Sequence, residues 1–248
     1  MPTLLSPRPS APALAHGEIH VWSVPLDRVR LDADDSVLSP HERARAARFR
    51  RPAGRTRYRS AHLALRTLLA GYLGVPPHVP RWARRCPEPE VCGGCGAGRP
   101  VLLTGPWPQL EFSLSHSGAA ALVGLVRAPG TVGVDVERVR PAFDWSRLPQ
   151  VGPQSRVAGF RTWTAVEAVG KAAGTGLRDP VSVGPPRTGR PRRARRSGDP
   201  ADWYVHEVRC PDGYVGSVAT STPDAVVRSF LWPMSGSGSG CEMGACSH

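Results

Sequence analysis

Three carboxylates and one amine carry the chemistry legible in this chain. Asp135 and Glu137 stand two apart in TVGVDVERV (131–139), and Glu167 and Lys171 stand four apart in FRTWTAVEAVGKAAGTGL (160–177). In an extended strand residues two apart share a face, so Asp135 and Glu137 lie side by side while Val132, Val134 and Val136 point the other way. Adjacent carboxylates repel; they need open water, a shared proton or a cation. A solvent-facing edge strand supplies the first. With Glu167 as a third oxygen donor a hard divalent ion supplies the last, and Mg2+ accepts a few carboxylates, retained waters and phosphate oxygens.

Lys171 is the chain's single lysine among 32 basic residues. Arginine stays charged, whereas lysine is a compact point charge that loses its proton when crowded or buried. A chain that otherwise uses arginine keeps an ammonium here. The plain alternative is a Glu–Lys pair on a helix surface, worth ~0.2–0.5 kcal/mol.

The elements that must position these groups follow from local pattern. Residues 160–177 read as a helix with Trp163, Glu167 and Lys171 on one face and apolar Val166, Val169 and Ala173 on another. Gly174 and Gly176 form its exit, because glycine accepts the left-handed C-cap conformation. Upstream, EIHVWSV (18–24) alternates as a strand. Ser39-Pro40-His41-Glu42 opens a helix with a capping box, and a second helix spans about 56–73, with Ala61, Leu65, Leu68, Leu69 and Tyr72 inward and Gly74 after its end. FSLSHSGAAALVGLV (112–126) reads as two strands around Ser117-Gly118. Residues 203–209 and 214–220 read as a hairpin across Pro211-Asp212-Gly213, and 226–231 as a further strand. Residues 1–17 read as a disordered leader, the basic stretch 181–201 with RPRRARR as a flexible insert, and 233–248 as a low-complexity disordered tail. A loose two-fold order, breaking near Pro129-Gly130, divides the remainder into an N-terminal half, 18–128, and a C-terminal half, 129–232: an α+β chain of two similar halves.

Composition bounds the function. The 248 residues suffice for one large or two small domains, and the formal net charge of +12 fits a polyanionic partner: nucleic acid, a phosphorylated cofactor or an acidic protein. No apolar run reaches the ~18 residues of a membrane span, and the N-terminus lacks a signal-peptide core, so a cytoplasmic location is expected. Six cysteines are then thiols or metal ligands. Cys86, Cys92 and Cys95 are one short of a structural zinc site, and Cys241, Cys246 and His248 are remote in sequence.

FSLSHSG, GVDVERVRP and WTAVEAVGKAAGTGL, in this order and spacing, resemble the Sfp-type 4′-phosphopantetheinyl transferases. SPHERARAARF…RYRSAHLALRTLLAGYLG resembles that family's N-terminal half, and AGRP (97–100) its G-[KR]-P turn. Five weak motifs in order, covering roughly 18–232, make a specific signal. The resemblance implies a pseudo-dimer of two similar α/β halves with coenzyme A between them. It implies transfer of phosphopantetheine to a serine of an apo acyl or peptidyl carrier protein, with Mg2+ bound and 3′,5′-ADP released. Asp135, Glu137 and Glu167 match the metal ligands. Glu167 is also the base, and Lys171 meets the phosphates. Ser115 and His116 match a coenzyme A-contacting pair, Arg99 the turn's basic residue, and Arg45 and Arg57 basic positions flanking the nucleotide. Three positions depart from the family pattern. Val166 replaces a frequent lysine or threonine, Gly170 a large apolar residue, and Ala119 a frequent polar one. A monomer is expected, serving polyketide, nonribosomal peptide or fatty-acid carriers.

Two other readings stand beside this one. A basic nucleic-acid-binding protein would use RPRRARR, but the chain lacks the interleaved aromatics that stack bases, and that reading leaves the D-x-E strand and sole lysine idle. A non-catalytic relative would bind the carrier without transferring anything.

Overall fold

The structure, a computed structural model, describes residues 11–29, 35–85, 98–103, 110–145 and 155–232. Within them the chain is a mixed α+β protein. Strand β1 (Glu18–Pro25) leads into helices α1 (Pro40–Ala47) and α2 (Pro52–Leu73), a short ribbon of β2 (Trp82–Arg85) and β3 (Arg99–Leu102), and the hairpin β4 (Leu110–Ser117) and β5 (Ala120–Arg127). Then come β6 (Gly133–Arg138), helix α3 (Arg156–Ala173) and β7 (Val181–Val183), β8 (Arg192–Arg196), β9 (Asp202–Val208), β10 (Tyr214–Thr220) and β11 (Val226–Leu231). One sheet has the order β11-β1-β5-β4 and a second β6-β10-β9-β8-β7. β11 returns to the first sheet, pairing parallel to β1.

Alternation along the strands explains the layering. In β1 and β5, Trp22, Val123 and Leu125 face α2 and pack on Leu65, Leu68 and Leu69. Ile19, Val21, Leu122 and Val126 face the second sheet and meet Val134, Val136, Val208 and Val218. That sheet's other face carries Ala194, Trp203, Val205 and Ala219 against Ala165, Val166, Val169 and Ala172 of α3. Each strand thus feeds two cores, one per face.

α1 starts as its sequence requires. The Ser39 hydroxyl accepts the Glu42 amide at 3.2 Å and the Glu42 carboxylate accepts the Ser39 amide at 2.7 Å. α2 begins at Pro52, one turn earlier than the apolar pattern marks, because proline's fixed φ suits a first helical position. Two expectations are corrected. Residues 11–17 are not a loose leader: Leu14 is buried in the α2 core and the Glu18 amide bonds to the Ala15 carbonyl. The stretch 181–201 is not a flexible loop. RRARR is strand β8, with Arg192 and Ala194 buried on the α3 face and Arg193 and Arg195 exposed on the other. Its arginine content hid a period-two pattern with alanine as the only apolar residue.

Two glycines set how tightly α3 seats. The amides of Gly174, Thr175 and Gly176 converge on the Gly170 carbonyl at 3.0, 3.1 and 3.1 Å, and a β-carbon at Gly170 would lie 2.2 Å from the Gly176 carbonyl oxygen. Glycine there replaces a larger residue because the helix exit folds back onto that position. At Gly133 in β6, a β-carbon would lie 2.1 Å from the Ala168 carbonyl and 2.4 Å from the Ala172 amide nitrogen. The neighbour atoms are helix backbone and cannot rotate away. Gly133→Ala is therefore expected to push α3 off β6 and cost about 1–3 kcal/mol, as overpacking does, read as a lowered melting temperature by circular dichroism. An unchanged melting temperature would refute this close packing.

Candidate active site

The closeness of β6 to α3 brings the acidic pair of the strand beneath the helix. Asp135 and Glu137 lie on the α3 face of β6, in register with Ser217 and Val215 of β10. Glu167 and Lys171 project toward them from successive turns of α3. The Lys171 ammonium donates to Asp135 Oδ1 at 2.6 Å and to the Ser115 hydroxyl at 3.0 Å. The Ser115 hydroxyl donates to the same Asp135 oxygen at 2.7 Å. Asp135 is buried, and its Oδ2 has no hydrogen-bond partner. The solvated edge strand considered for the acidic pair is thus not what forms: β6 is covered, and an ammonium supplies the compensating charge.

Glu137 accepts from the Ser117 hydroxyl at 2.8 Å and pairs with Arg140 at 3.5 Å. Burial holds its carboxyl above the ordinary range; Ser117 opposes that shift and Asp135 adds to it. Glu167 is also raised, first by burial, with Lys171 opposing and the charges of Asp135 and Glu137 adding. These couplings tie three carboxylates into one electrostatic cluster around one ammonium. Among the described residues no three histidine, cysteine or acidic side chains already stand as a preformed metal cage. The donor set nevertheless fits a hard cation: all its ligating atoms are oxygen, and one buried carboxylate oxygen is unpaired.

The other candidate residues lie on elements around this cluster. His116 follows Ser115 on β4 and points to the opposite, α2 side, where it is exposed. Crowding by protein, then the nearby His62 and Lys171, hold its imidazole below the ordinary histidine range. Arg99 lies on β3, packed against the α3 exit at Gly174 and 3.9 Å from Glu111. Arg45 and Arg57 are exposed on α1 and α2; among the described residues neither bonds to the cluster. Val166, one of the departures from the family pattern, is buried in the α3 core, and the Ala119 amide bonds to the Tyr214 hydroxyl at 2.9 Å. Cys86, Cys92, Cys95, Cys241, Cys246 and His248 lie outside the described residues. Cys210 is a free thiol pushed up to about 12, mainly by burial.

Two sets of contacts near the site were not foreseen from sequence, although Ser115 and Glu42 were each named there in another role. Ser113, Ser115 and Ser117 recur with period two in FSLSHS; that alternation was the available signal. The second set is a buried anchor under His116. Glu42 takes Arg66 at 2.7 Å and His62 at 2.9 Å in addition to the Ser39 amide. Arg66 also donates to the Pro80 carbonyl at 3.0 Å and lies over the Trp82 ring at 4.6 Å. Arg66 is thus a buried residue of α2. No sequence spacing announces this set, because its partners lie on different elements.

No protein-family profile matches the chain. Individual relatives do. The 4′-phosphopantetheinyl transferase HetI of Nostoc sp. is 32% identical over 187 residues, covering 69% of this chain and 75% of that protein. The putative 4′-phosphopantetheinyl transferase slr0495 of Synechocystis sp. is 30% identical over 175 residues, covering 63% of this chain and 65% of its own length. The 4′-phosphopantetheinyl transferase AcpT of Salmonella typhimurium is 33% identical over 111 residues, 39% of this chain and 56% of the relative. The relatives that match this chain share one named activity, and it is a transferase class. The chain belongs to the 4′-phosphopantetheinyl transferase family.

The Glu42 anchor makes a pH prediction. Burial alone would raise its carboxyl; His62, the Ser39 amide and Arg66 outweigh that and bring it from the ordinary 4.5 to about 2. The folded value lies below the unfolded one, so this stabilisation is complete above pH 4.5 and is lost as pH falls from 4.5 toward 2. Denaturant unfolding of Glu42→Gln is expected to lose about 3 kcal/mol of the acid-side pH dependence shown by the wild type. Parallel curves for the two proteins would refute the anchor.

Proposed function

We propose that this protein transfers 4′-phosphopantetheine from coenzyme A to a serine hydroxyl of an apo acyl or peptidyl carrier protein, releasing 3′,5′-ADP. The observation that carries the reading is the chain's only lysine clasping Asp135 at 2.6 Å within a cluster that also holds Glu137 and Glu167. Family membership supplies the reaction class; the cluster supplies groups able to perform it.

In this reading Glu167, directly or through water, takes the proton from the carrier serine. Burial and two neighbouring anions raise its basicity, which suits a general base. The serine oxygen forms a new bond to the phosphorus that bears pantetheine, and the bond from that phosphorus to the departing 3′,5′-ADP breaks. Lys171 donates hydrogen bonds to the transferring phosphate or a proton to the departing group. Asp135, Glu137 and Glu167 would hold Mg2+, which when bound neutralises charge on the pyrophosphate. The fit rests on the all-oxygen donor set and the unpaired Asp135 Oδ2. Arg45, Arg57 and Arg99 supply permanent positive charge for the phosphates of coenzyme A, and His116, held below the ordinary histidine range mainly by burial, offers them a hydrogen bond from its imidazole. Most of the reaction is then positioning and electrostatics.

The same proposal reads α2 with the first sheet and α3 with the second as two related halves, broken near residues 128–129, that act as a monomer. It places the enzyme in the cytoplasm on carriers of polyketide, nonribosomal peptide or fatty-acid type. Among the described residues no helix is long and apolar enough to cross a membrane. The nucleic-acid reading loses part of its support, because RRARR is a strand whose arginines bond within their own sheet, with Arg192 buried and Arg193 and Arg195 exposed. Arg195 bonds to Asp202 at 2.9 Å, Arg196 to Asp179 at 2.6 Å, and Arg192 to the Gly184 carbonyl at 2.8 Å.

Incubation with coenzyme A, Mg2+ and an apo carrier is expected to add one phosphopantetheine to the carrier by intact-mass spectrometry, and EDTA to abolish the gain. Glu167→Gln and Lys171→Ala are expected to fold and to lose transfer by roughly 10²-fold or more. Near-normal transfer by either variant would remove that residue from the mechanism. Retained coenzyme A binding without transfer by the wild type would leave a carrier-binding relative.

A further inference from the structure

β6 is the edge of its sheet, and its outward amides need acceptors. Three serines of β4 supply them: Val134 N–H to Ser113 at 3.1 Å, Val136 N–H to Ser115 at 3.4 Å and Arg138 N–H to Ser117 at 3.2 Å. A serine hydroxyl has one proton and two lone pairs. An oxygen that accepts an amide is left with its proton to give, and at two of the three rungs a carboxylate takes it. Ser115 gives to Asp135 at 2.7 Å and Ser117 to Glu137 at 2.8 Å. Ser115 also accepts from Lys171 at 3.0 Å, so its capacity is fully used within the protein.

In both acids the contacts fall on a single oxygen. Asp135 Oδ1 takes Ser115 and Lys171 while its buried Oδ2 is unpaired. Glu137 Oε2 takes Ser117 and Arg140, and among the described residues Oε1 takes no bond. An acid held by one oxygen has its rotation fixed and presents the other in a set direction. We infer that Ser115 and Ser117 are positioning residues that orient Asp135 and Glu137 for a divalent cation. The inference rests on the proposed cation site and adds to it residues outside the ligand set.

Ser113 is the control the fold provides. It performs the same amide duty and, among the described residues, bonds to no carboxylate. A purely structural role predicts that all rungs behave alike; a positioning role separates them. Mn2+ binding, followed by electron paramagnetic resonance without coenzyme A or carrier, reads the site without turnover. Ser117→Ala is expected to weaken Mn2+ binding about tenfold or more, as loss of a hydrogen bond to a metal ligand does, and Ser117→Thr to restore most of it. Ser113→Ala is expected to lower the melting temperature with Mn2+ affinity unchanged. The inference is overturned if Ser117→Ala binds Mn2+ like the wild type, if Ser113→Ala weakens binding equally, or if the wild type binds no Mn2+. Carrier mass gain by the same wild-type preparation judges the transferase reading separately: transfer without these Mn2+ effects sinks the positioning role alone.

Discussion

The site depends on how an edge strand is satisfied. Among the described residues β6 is laddered to β10 on one side and to no strand on the other. Its outward amides meet serine hydroxyls of β4, so the seam between the two sheets is made of side chain-to-backbone bonds where a ladder would otherwise run. A full ladder would merge the sheets and place no hydroxyl proton against the acids. The serine seam holds the two sheets in register and sets the acidic pair in the same step. It also protects an edge that would otherwise be open to pairing with another chain.

The other wall of the site is α3, and its approach is governed by the absence of a side chain at Gly133. That contact lets Glu167 and Lys171 act on strand residues two positions on. Burial then works against three negative charges, and the single ammonium offsets part of the cost. The charge balance is incomplete: two of the acids remain above their ordinary range. A site poised in this way gains from any further cation, which gives a physical reason for a metal to bind there.

Away from the site some of the arginines are structural. Arg66 closes the buried Glu42 anchor, and the β8 arginines pair with Asp179, Asp199 and Asp202 along their own sheet. These pairs leave the net charge of +12 unchanged, because it already counts every acid, and the excess remains outward on residues such as the exposed Arg45 and Arg57.

The three helices and strands β1, β4, β5, β6, β9, β10 and β11 were legible from the chain because each rests on local rules, whereas β2, β3 and β7 were not. The capping box at Ser39 and Glu42, the period-two alternation of 131–139, the four-residue spacing of Glu167 and Lys171 and the solitary lysine all act within a few residues of each other. Where local rules were silent, the reading failed: β8 carries its apolar pattern on one alanine, and Leu14 joins a core assembled from other elements. The same holds for pairings across the chain. That Ser115 would be used up by Asp135 and Lys171, that Ser117 would hold Glu137, and that Glu42 would anchor both Arg66 and His62 follow from which strands and helices become neighbours. Sequence alone determined which side chains were available and which face each would take. Only the tertiary structure decided which of them met, because a hydrogen bond is set by distances of a few ångströms between residues separated by tens of positions.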